Sequence, residues 1–298
     1  MRLILALKEL VVCLYLPQLL ERIDEPFDSN EWIWELKLDG HRAIYSQIDQ
    51  KSTIYTRNGN PVTARYPELV PLPTTKDICL DGEIIVMDNG VPNFEKLMER
   101  FSCKNELKIS YLMKEIPATF VVFDILMLNG DSLVNLPLIK RKEILQNELS
   151  DTEHIVKIQF VEGQGEALFQ AIKEQGLEGA IGKRKNSIYH VDKRTSDWLK
   201  VLNYTYRDDI WITGYRRGEF GLLASIKDEG RMRPAGVIEH GSIDLRRQFY
   251  NLARNYAKKE TDEFIYIQPF VRVKVKFLHW TSSGFMRIPV LLGIITEK

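Results

Sequence analysis

Cysteine is scarce. The 298 residues hold three, Cys13, Cys79 and Cys103, an odd number without paired spacing. That argues against a disulfide scaffold and suits a reducing cytoplasm. Net charge is missing as well. Lys and Arg total 41, and Asp and Glu total 41, which excludes a histone-like polycation but not a local basic face. No run of about 20 apolar residues occurs, so no membrane helix is expected. The apolar start, MRLILALKELVVCLYLP, is interrupted by Lys8 and Glu9 and has no small-residue cleavage site after it. Residues 1–15 are therefore expected as a short amphipathic helix or flexible extension, not a secretory leader. The five histidines, His41, His154, His190, His240 and His279, are scattered and none stands at metal-ligand spacing, so no structural zinc is expected. Internal repeats and low-complexity tracts are absent.

What remains is an ordinary globular composition, 44% apolar and 28% charged, able to bury a core. The length suits one large domain or two ordinary ones. EWIWELKL alternates, breaks at Asp39-Gly40, and resumes as HRAIYSQI, which reads as strand, turn, strand. STIYTR and ICLDGEIIVM continue the strand pattern. In NFEKLMERF, Phe94, Leu97, Met98 and Phe101 fall at helical spacing behind Asn93, a candidate N-cap. ATFVVFDILML is a continuous apolar run, hence a buried strand. LIKRKEILQNEL and GEALFQAIKEQ read as helices, EGAIGKRK and SDWLKVL as strands.

After about Asn203 the texture changes. DIWITGYRRG, GLLASIKDEG and PAGVIEHG are short strands closed by glycine, SIDLRRQFYNLARNYAKK reads as one helix, and FVRVKVKFLHW alternates strongly. Several short strands with one helix suggest a small barrel of the OB type. Charge divides at the same place: residues 204–298 hold 16 Lys and Arg against 11 Asp and Glu, the remainder 25 against 30. A basic module of this kind is compatible with a phosphate backbone, and equally with ordinary surface asymmetry.

Chemistry-bearing residues recur along the first part. In a strand, Glu35, Lys37 and Asp39 share one face and Trp34, Leu36 and Leu38 the other. Lys37 is then either a solvated ion pair or a nucleophile whose proton is lost through desolvation or neighbouring cations. Asp81-Gly82-Glu83 opens another strand. Asp124, beside Phe123 in the buried run, needs a partner. Glu178-Gly179-Ala180-Ile181-Gly182-Lys183 carries two glycines that admit close backbone approach or merely a tight turn. In Trp198-Leu199-Lys200 the tryptophan and the lysine share a face.

The order and spacing of these groups resemble the covalent nucleotidyltransferases, among them the ATP-dependent DNA ligases. ELKLDGHR looks like their motif I, LDGEIIV motif III, VVFDILMLNG motif IIIa, EGAIGKR motif IV and WLKV motif V. The chain resembles the ligase module of bacterial end-joining ligases and their small stand-alone relatives. The resemblance covers roughly residues 16 to 298. It implies an α+β fold: a nucleotidyltransferase domain of mixed antiparallel sheets with helices, ATP-grasp-like, at 16–203, then an all-β OB-fold barrel for DNA at 204–298.

The same resemblance implies roles. Lys37 is the nucleophile that takes AMP from ATP. Glu35 reads the adenine amino group, and Phe123 stacks on the base. Arg42 and Arg57 contact the nucleotide or the 5′-phosphate at the nick. Glu83 holds the ribose hydroxyls and, with Glu178, a Mg2+ or Mn2+ ion. Lys183 and Lys200 hold the α-phosphate. The implied partner is nicked double-stranded DNA, with a Ku-type end-binding protein in an end-joining setting and a monomeric, cytoplasmic ligase. An RNA ligase, a capping-type nucleotidyltransferase using GTP, and a non-catalytic nucleic-acid clamp are the rival readings. Two positions depart from the pattern. Leu202 stands where many relatives have a second motif V lysine. Ile295 stands at the arginine place of the terminal basic motif, where Lys298 alone matches and Arg287 is a candidate substitute.

Overall fold

Every second residue of the strand Asp28–Lys37 goes to one side, and the two sides meet different neighbours. Trp32 and Trp34 are buried with Phe169 and Ile172 of the helix Gly165–Glu174. Ile33 goes the other way and joins Phe123, Tyr189 and Trp198. Glu35 and Lys37 continue the side of Ile33. A computed structural model describes residues 15–254 and 256–296. The expectations placed on residues 1–14 and on Lys298 lie outside them.

The chain divides into two units between Val201 and Leu202. The first unit is built on two sheets. One has five strands in the order Leu19–Arg22, Arg194–Leu202, Gly179–Arg184, Asp28–Lys37, Phe160–Gln164. The other has the main order Lys51–Thr56, His41–Ile48, Ile78–Asp88, Ala118–Leu128, Asp131–Ser132. Between them lies a core made from both, including Ile33, Ile44, Cys79, Phe123 and Trp198. The outer face of the second sheet carries the largest core, where Tyr45, Ile84 and Phe120 meet Leu97 and Leu145 of the helices Phe94–Ser102 and Leu138–Glu148. Asn93 caps the first of these helices, its side chain accepting from the Lys96 amide at 3.0 Å.

The second unit is one seven-stranded sheet with the main order Arg231–Ile238, Leu222–Asp228, Thr205–Arg216, Phe264–Phe277, Val290–Thr296, His240–Gly241. The pairing among the described residues is an open path and does not itself close a barrel. The helix here is shorter than the sequence pattern suggests. It covers Ile243–Ala253, and Ala257–Glu260 is instead a strand paired with Phe264–Phe277. All four residues of that strand are exposed, and their charged side chains suit a sheet edge. The helix Glu106–Glu115 is one that the sequence pattern does not announce. Its buried residues are Ile109 and Leu112, while Leu107 and Tyr111 are exposed, so the apolar spacing is blurred. Among the described residues no helix is long and apolar enough to cross a membrane.

Asp124 has its partner. Arg141 bonds it with both Nε and Nη2, each at 2.8 Å, and both side chains are fully buried. A fork-to-fork pair of this kind tolerates burial because both charges are met by aligned bonds. Asp124→Asn leaves the Arg141 guanidinium buried without its countercharge and is expected to cost about 3–5 kcal/mol. The check is urea unfolding: the midpoint falls and the slope stays as in the wild type.

Candidate active site

The turn after Lys37 is pressed onto the second sheet. A Cβ on Gly40 would lie 2.5 Å from the Ile84 carbonyl oxygen, so only glycine lets the backbone come this close. The approach brings Lys37, before the turn, and Arg42, after it, to one cleft. Glu178 comes from the residue before the strand Gly179–Arg184, which pairs antiparallel with the Lys37 strand, Gly179 opposite Lys37 and Ile181 opposite Glu35. Lys37 Nζ donates to Glu178 Oε2 at 2.9 Å. Lys200 is half-buried on the strand Arg194–Leu202. Burial lowers its pKa first, with the charges of Lys37 and Arg194 adding to the effect.

Further along the same strands lies a drier region. Lys183 pairs opposite Ile33, four residues along the strand from Gly179. Its Nζ stands 2.7 Å from Glu35 Oε2, 4.3 Å from the Phe123 ring centre and 4.1 Å from that of Trp198. Burial, aided by the charge of Lys142, brings the Lys183 amine down to about 8, while Glu35 acts in the opposite direction. Lys142 Nζ bonds the other Glu35 oxygen. Phe123 and Trp198 meet edge-on with centres 6.3 Å apart. The resemblance implies Lys183 at the α-phosphate; the structure places it beside Glu35, at the aromatic end of the cleft.

Arg42 is braced from three sides. Its Nε and Nη2 donate to Asp81 at 3.0 and 2.6 Å, and its Nη1 to the Gln18 carbonyl at 2.6 Å. Tyr189 donates to Asp81 Oδ2 at 2.6 Å and accepts from the Gln18 amide at 3.0 Å. Burial acts to lower the Arg42 pKa, but Asp81 overrides it and the guanidinium is held more firmly protonated than usual. Burial also holds the Tyr189 hydroxyl well above its ordinary range, with the Asp81 charge adding to this. Glu83 pairs across the sheet with Arg42. Burial pushes its carboxyl up to about 8 against the pull of Lys37 and Arg42, and Glu178 and Asp81 push the same way as burial.

Glu35, Lys37, Arg42, Glu83, Phe123 and Lys183 all line the cleft, with Trp198. Glu178 reaches it through Lys37. Arg57 is exposed in the turn after Lys51–Thr56 and is not among the lining residues. The second unit holds Arg287 and Ile295, and Leu202 follows Lys200 by two residues on its strand. Sequence reasoning missed the roles of Gln18, Tyr189 and Lys142. Asp81 at least sits in the Asp-Gly-Glu signal, whereas a lysine on a charged helix such as Lys142 gives none.

Fold and cleft together define a nucleotidyltransferase module joined to a small β unit. The chain belongs to the ATP-dependent DNA ligases: residues 16–201 match the family described as "ATP dependent DNA ligase domain". It is 37% identical over 274 residues, 92% of this chain and 96% of the relative, to the "SPbeta prophage-derived DNA ligase-like protein LigB" of Bacillus subtilis. It is 27% identical over 295 residues to the "Multifunctional non-homologous end joining DNA repair protein LigD" of Mycobacterium tuberculosis, spanning 37% of that longer protein. Among solved structures it is similar in fold to "mycobacterial DNA ligase D complexed with ATP and MES", with TM-score 0.57, 24% identity and coverage of 95% of this chain and 96% of that one. A Lig E DNA ligase is similar with TM-score 0.65 and 19% identity, covering 94% and 98%.

The raised Glu83 pKa has a stability consequence. The unfolded chain gives up this proton near 4.5, the folded chain near 8, so the carboxyl favours folding at low pH and the benefit is lost as pH rises to about 8. Glu83→Gln removes that dependence. Without nucleotide, its melting temperature is expected to exceed the wild-type value at pH 8, with the gap closing as pH falls toward 4. Melting curves across that range are the check.

Proposed function

We propose that the chain seals 3′-OH/5′-phosphate nicks in duplex DNA with Lys37 as the adenylylated residue. The observation that carries this is Lys37 Nζ, 2.9 Å from Glu178 in a cleft that also holds Glu35, Arg42, Glu83 and Phe123. The Lys37 amine, having lost a proton, attacks the α-phosphorus of ATP. A nitrogen–phosphorus bond forms, and the bond to pyrophosphate breaks. A 5′-phosphate oxygen at the nick then displaces the lysine and takes the AMP. Finally the 3′-hydroxyl attacks that phosphate, and AMP departs. Such transfers are accelerated mainly by positioning and by neutralising the phosphoryl oxygens.

In this reading Phe123 stacks on the base and Glu35 bonds its amino group, while Glu83 takes the ribose. Lys200 and Arg42 face the phosphates, and the exposed Arg57 meets the 5′-phosphate side of the DNA. Lys183, by its place beside Glu35, belongs to the base end. A Mg2+ or Mn2+ ion fits the donors present. Glu83 and Glu178 are two carboxylates whose charges act on each other, and among the described residues no group of three or more metal-ligating side chains forms a cage. Mg2+ is commonly held by one or two carboxylates together with substrate phosphates. Bound there, it would neutralise phosphate charge and favour the unprotonated lysine.

We assign residues 16–203 as the adenylation domain and 204–298 as an OB-fold DNA-binding domain. The seven-stranded sheet and the excess of basic residues support the latter. The end-joining names of the LigD relatives support a role at double-strand breaks beside a Ku-type end-binding protein. One nick needs one cleft, which suits a monomer.

ATP labelled at its α-phosphate is expected to mark the protein on a denaturing gel, with the label on the ELKLDG peptide and none in Lys37→Ala. Labelling by GTP alone points instead to a capping-type enzyme, and no label from either to a clamp. With Mg2+ or Mn2+ the wild type is expected to seal nicked duplex DNA. Its DNA affinity is expected to fall with salt as counterions are released. Sealing of nicked RNA alone defeats the DNA assignment.

A further inference from the structure

The base end of the cleft holds more positive charge than an ion pair requires. Glu35 meets Lys142 through one oxygen and Lys183 through the other. The three side chains are 1%, 6% and 1% exposed respectively. A buried carboxylate needs one well-placed cation, and a second dehydrated ammonium is costly unless it has a use. Lys183 lines the cleft, and its 2.7 Å approach to Glu35 lacks hydrogen-bond alignment, leaving its Nζ without an aligned partner. Lys142 comes from the helix Leu138–Glu148, outside both sheets. Its Nζ lies 5.4 Å from the Phe160 ring centre. The result is a tethered acceptor, Glu35, beside an amine with donors to spare.

Purine edges differ in the order of such groups. Adenine presents an amino donor at position 6 and then an acceptor at ring nitrogen 1. Guanine and hypoxanthine present an oxo acceptor and then an N–H donor. A carboxylate beside an amine matches one order and opposes the other only while the two stay in place. With Lys183 alone as partner, the Glu35 carboxylate could turn about its side-chain torsions and follow either edge. The bond from Lys142 to the other oxygen removes that freedom.

We propose that Lys142 is a positioning residue that sets the choice of nucleobase by fixing the Glu35 carboxylate. The inference rests on the adenylylation reading above and names a determinant of its specificity. Lys142 touches no reacting atom. Its effect passes through Glu35 and is read in the preference between two triphosphates.

The test compares ATP with inosine triphosphate, which reverses the donor–acceptor order without adding the 2-amino group of guanine. The readout is kcat/KM for covalent labelling of the full chain. Sites that hydrogen-bond a substrate group discriminate strongly through it, so Lys142→Met is expected to narrow the ATP preference by about tenfold or more, mainly through KM for ATP. Lys142→Arg, which keeps the charge and the donors, is expected to restore the wild-type preference. Equal loss for both triphosphates in Lys142→Met, with the ratio unchanged, overturns the proposal and leaves Lys142 a core ion pair. Should Lys142→Met fail to fold, Lys142→Gln is judged by the same ratio. Absence of any ATP label on the wild type would instead defeat the adenylylation reading itself.

Discussion

The proposed chemistry depends on the contact between Lys37 and Glu178, because a primary amine attacks phosphorus only after it has shed its proton. The Glu178 carboxylate holds the Lys37 side chain in place through a bond of 2.9 Å. Other charged groups stand close by. Lys200 adds positive charge nearby, and Lys37 in turn lowers the pKa of Lys200. Glu83, its own proton held up by burial, withholds a second negative charge at neutral pH. In the proposed reading, a cation held by Glu178 would take that carboxylate from Lys37.

The rest of the first unit braces this arrangement with buried and half-buried bonds. Arg42, Asp81, Tyr189 and the Gln18 backbone form a closed set of bonds across the two sheets. Arg141 and Asp124 do the same between a helix and the neighbouring strand. Asp81 and the Arg141–Asp124 pair are fully buried and Arg42 partly so, and each pair is aligned, which is the condition under which interior charge is tolerated. A cleft with donors already oriented has less to reorganise when phosphate charge moves.

Much of this was legible in the sequence because strands report themselves locally. Period-two alternation put Glu35 and Lys37 on one face and Trp34 on the other, and the cores on the two sides of that strand agree, Ile33 joining one and Trp32 and Trp34 the other. The break at Asp39-Gly40, the Asn93 cap and the need of Asp124 for a partner were equally readable. What escaped was tertiary. No spacing rule joins Lys142 to Glu35, 107 residues away, or Tyr189 to Asp81 across 108. Lys183 was singled out, but its distance along the strand from Lys37 emerged only from register. The end of the helix at Ala253 was hidden by a run of residues that suits helix and exposed strand alike.

Trp34, on the strand that carries Lys37, has two glycines against its ring. A Cβ on Gly165 would come within 2.4 Å of the indole, and one on Gly182 within 2.9 Å. The indole therefore works as a key seated in two notches, one in the helix and one in the adjacent strand. A strand keyed in this way is held in register with its neighbour. Positions 34 and 182 also constrain one another in descent, whereas a Cβ on Gly165 would in addition meet the Phe27 carbonyl oxygen at 2.4 Å. A lineage that replaces the indole by a smaller side chain frees the notch at 182 to accept a methyl group, and substitutions at 34 and 182 are expected to travel together.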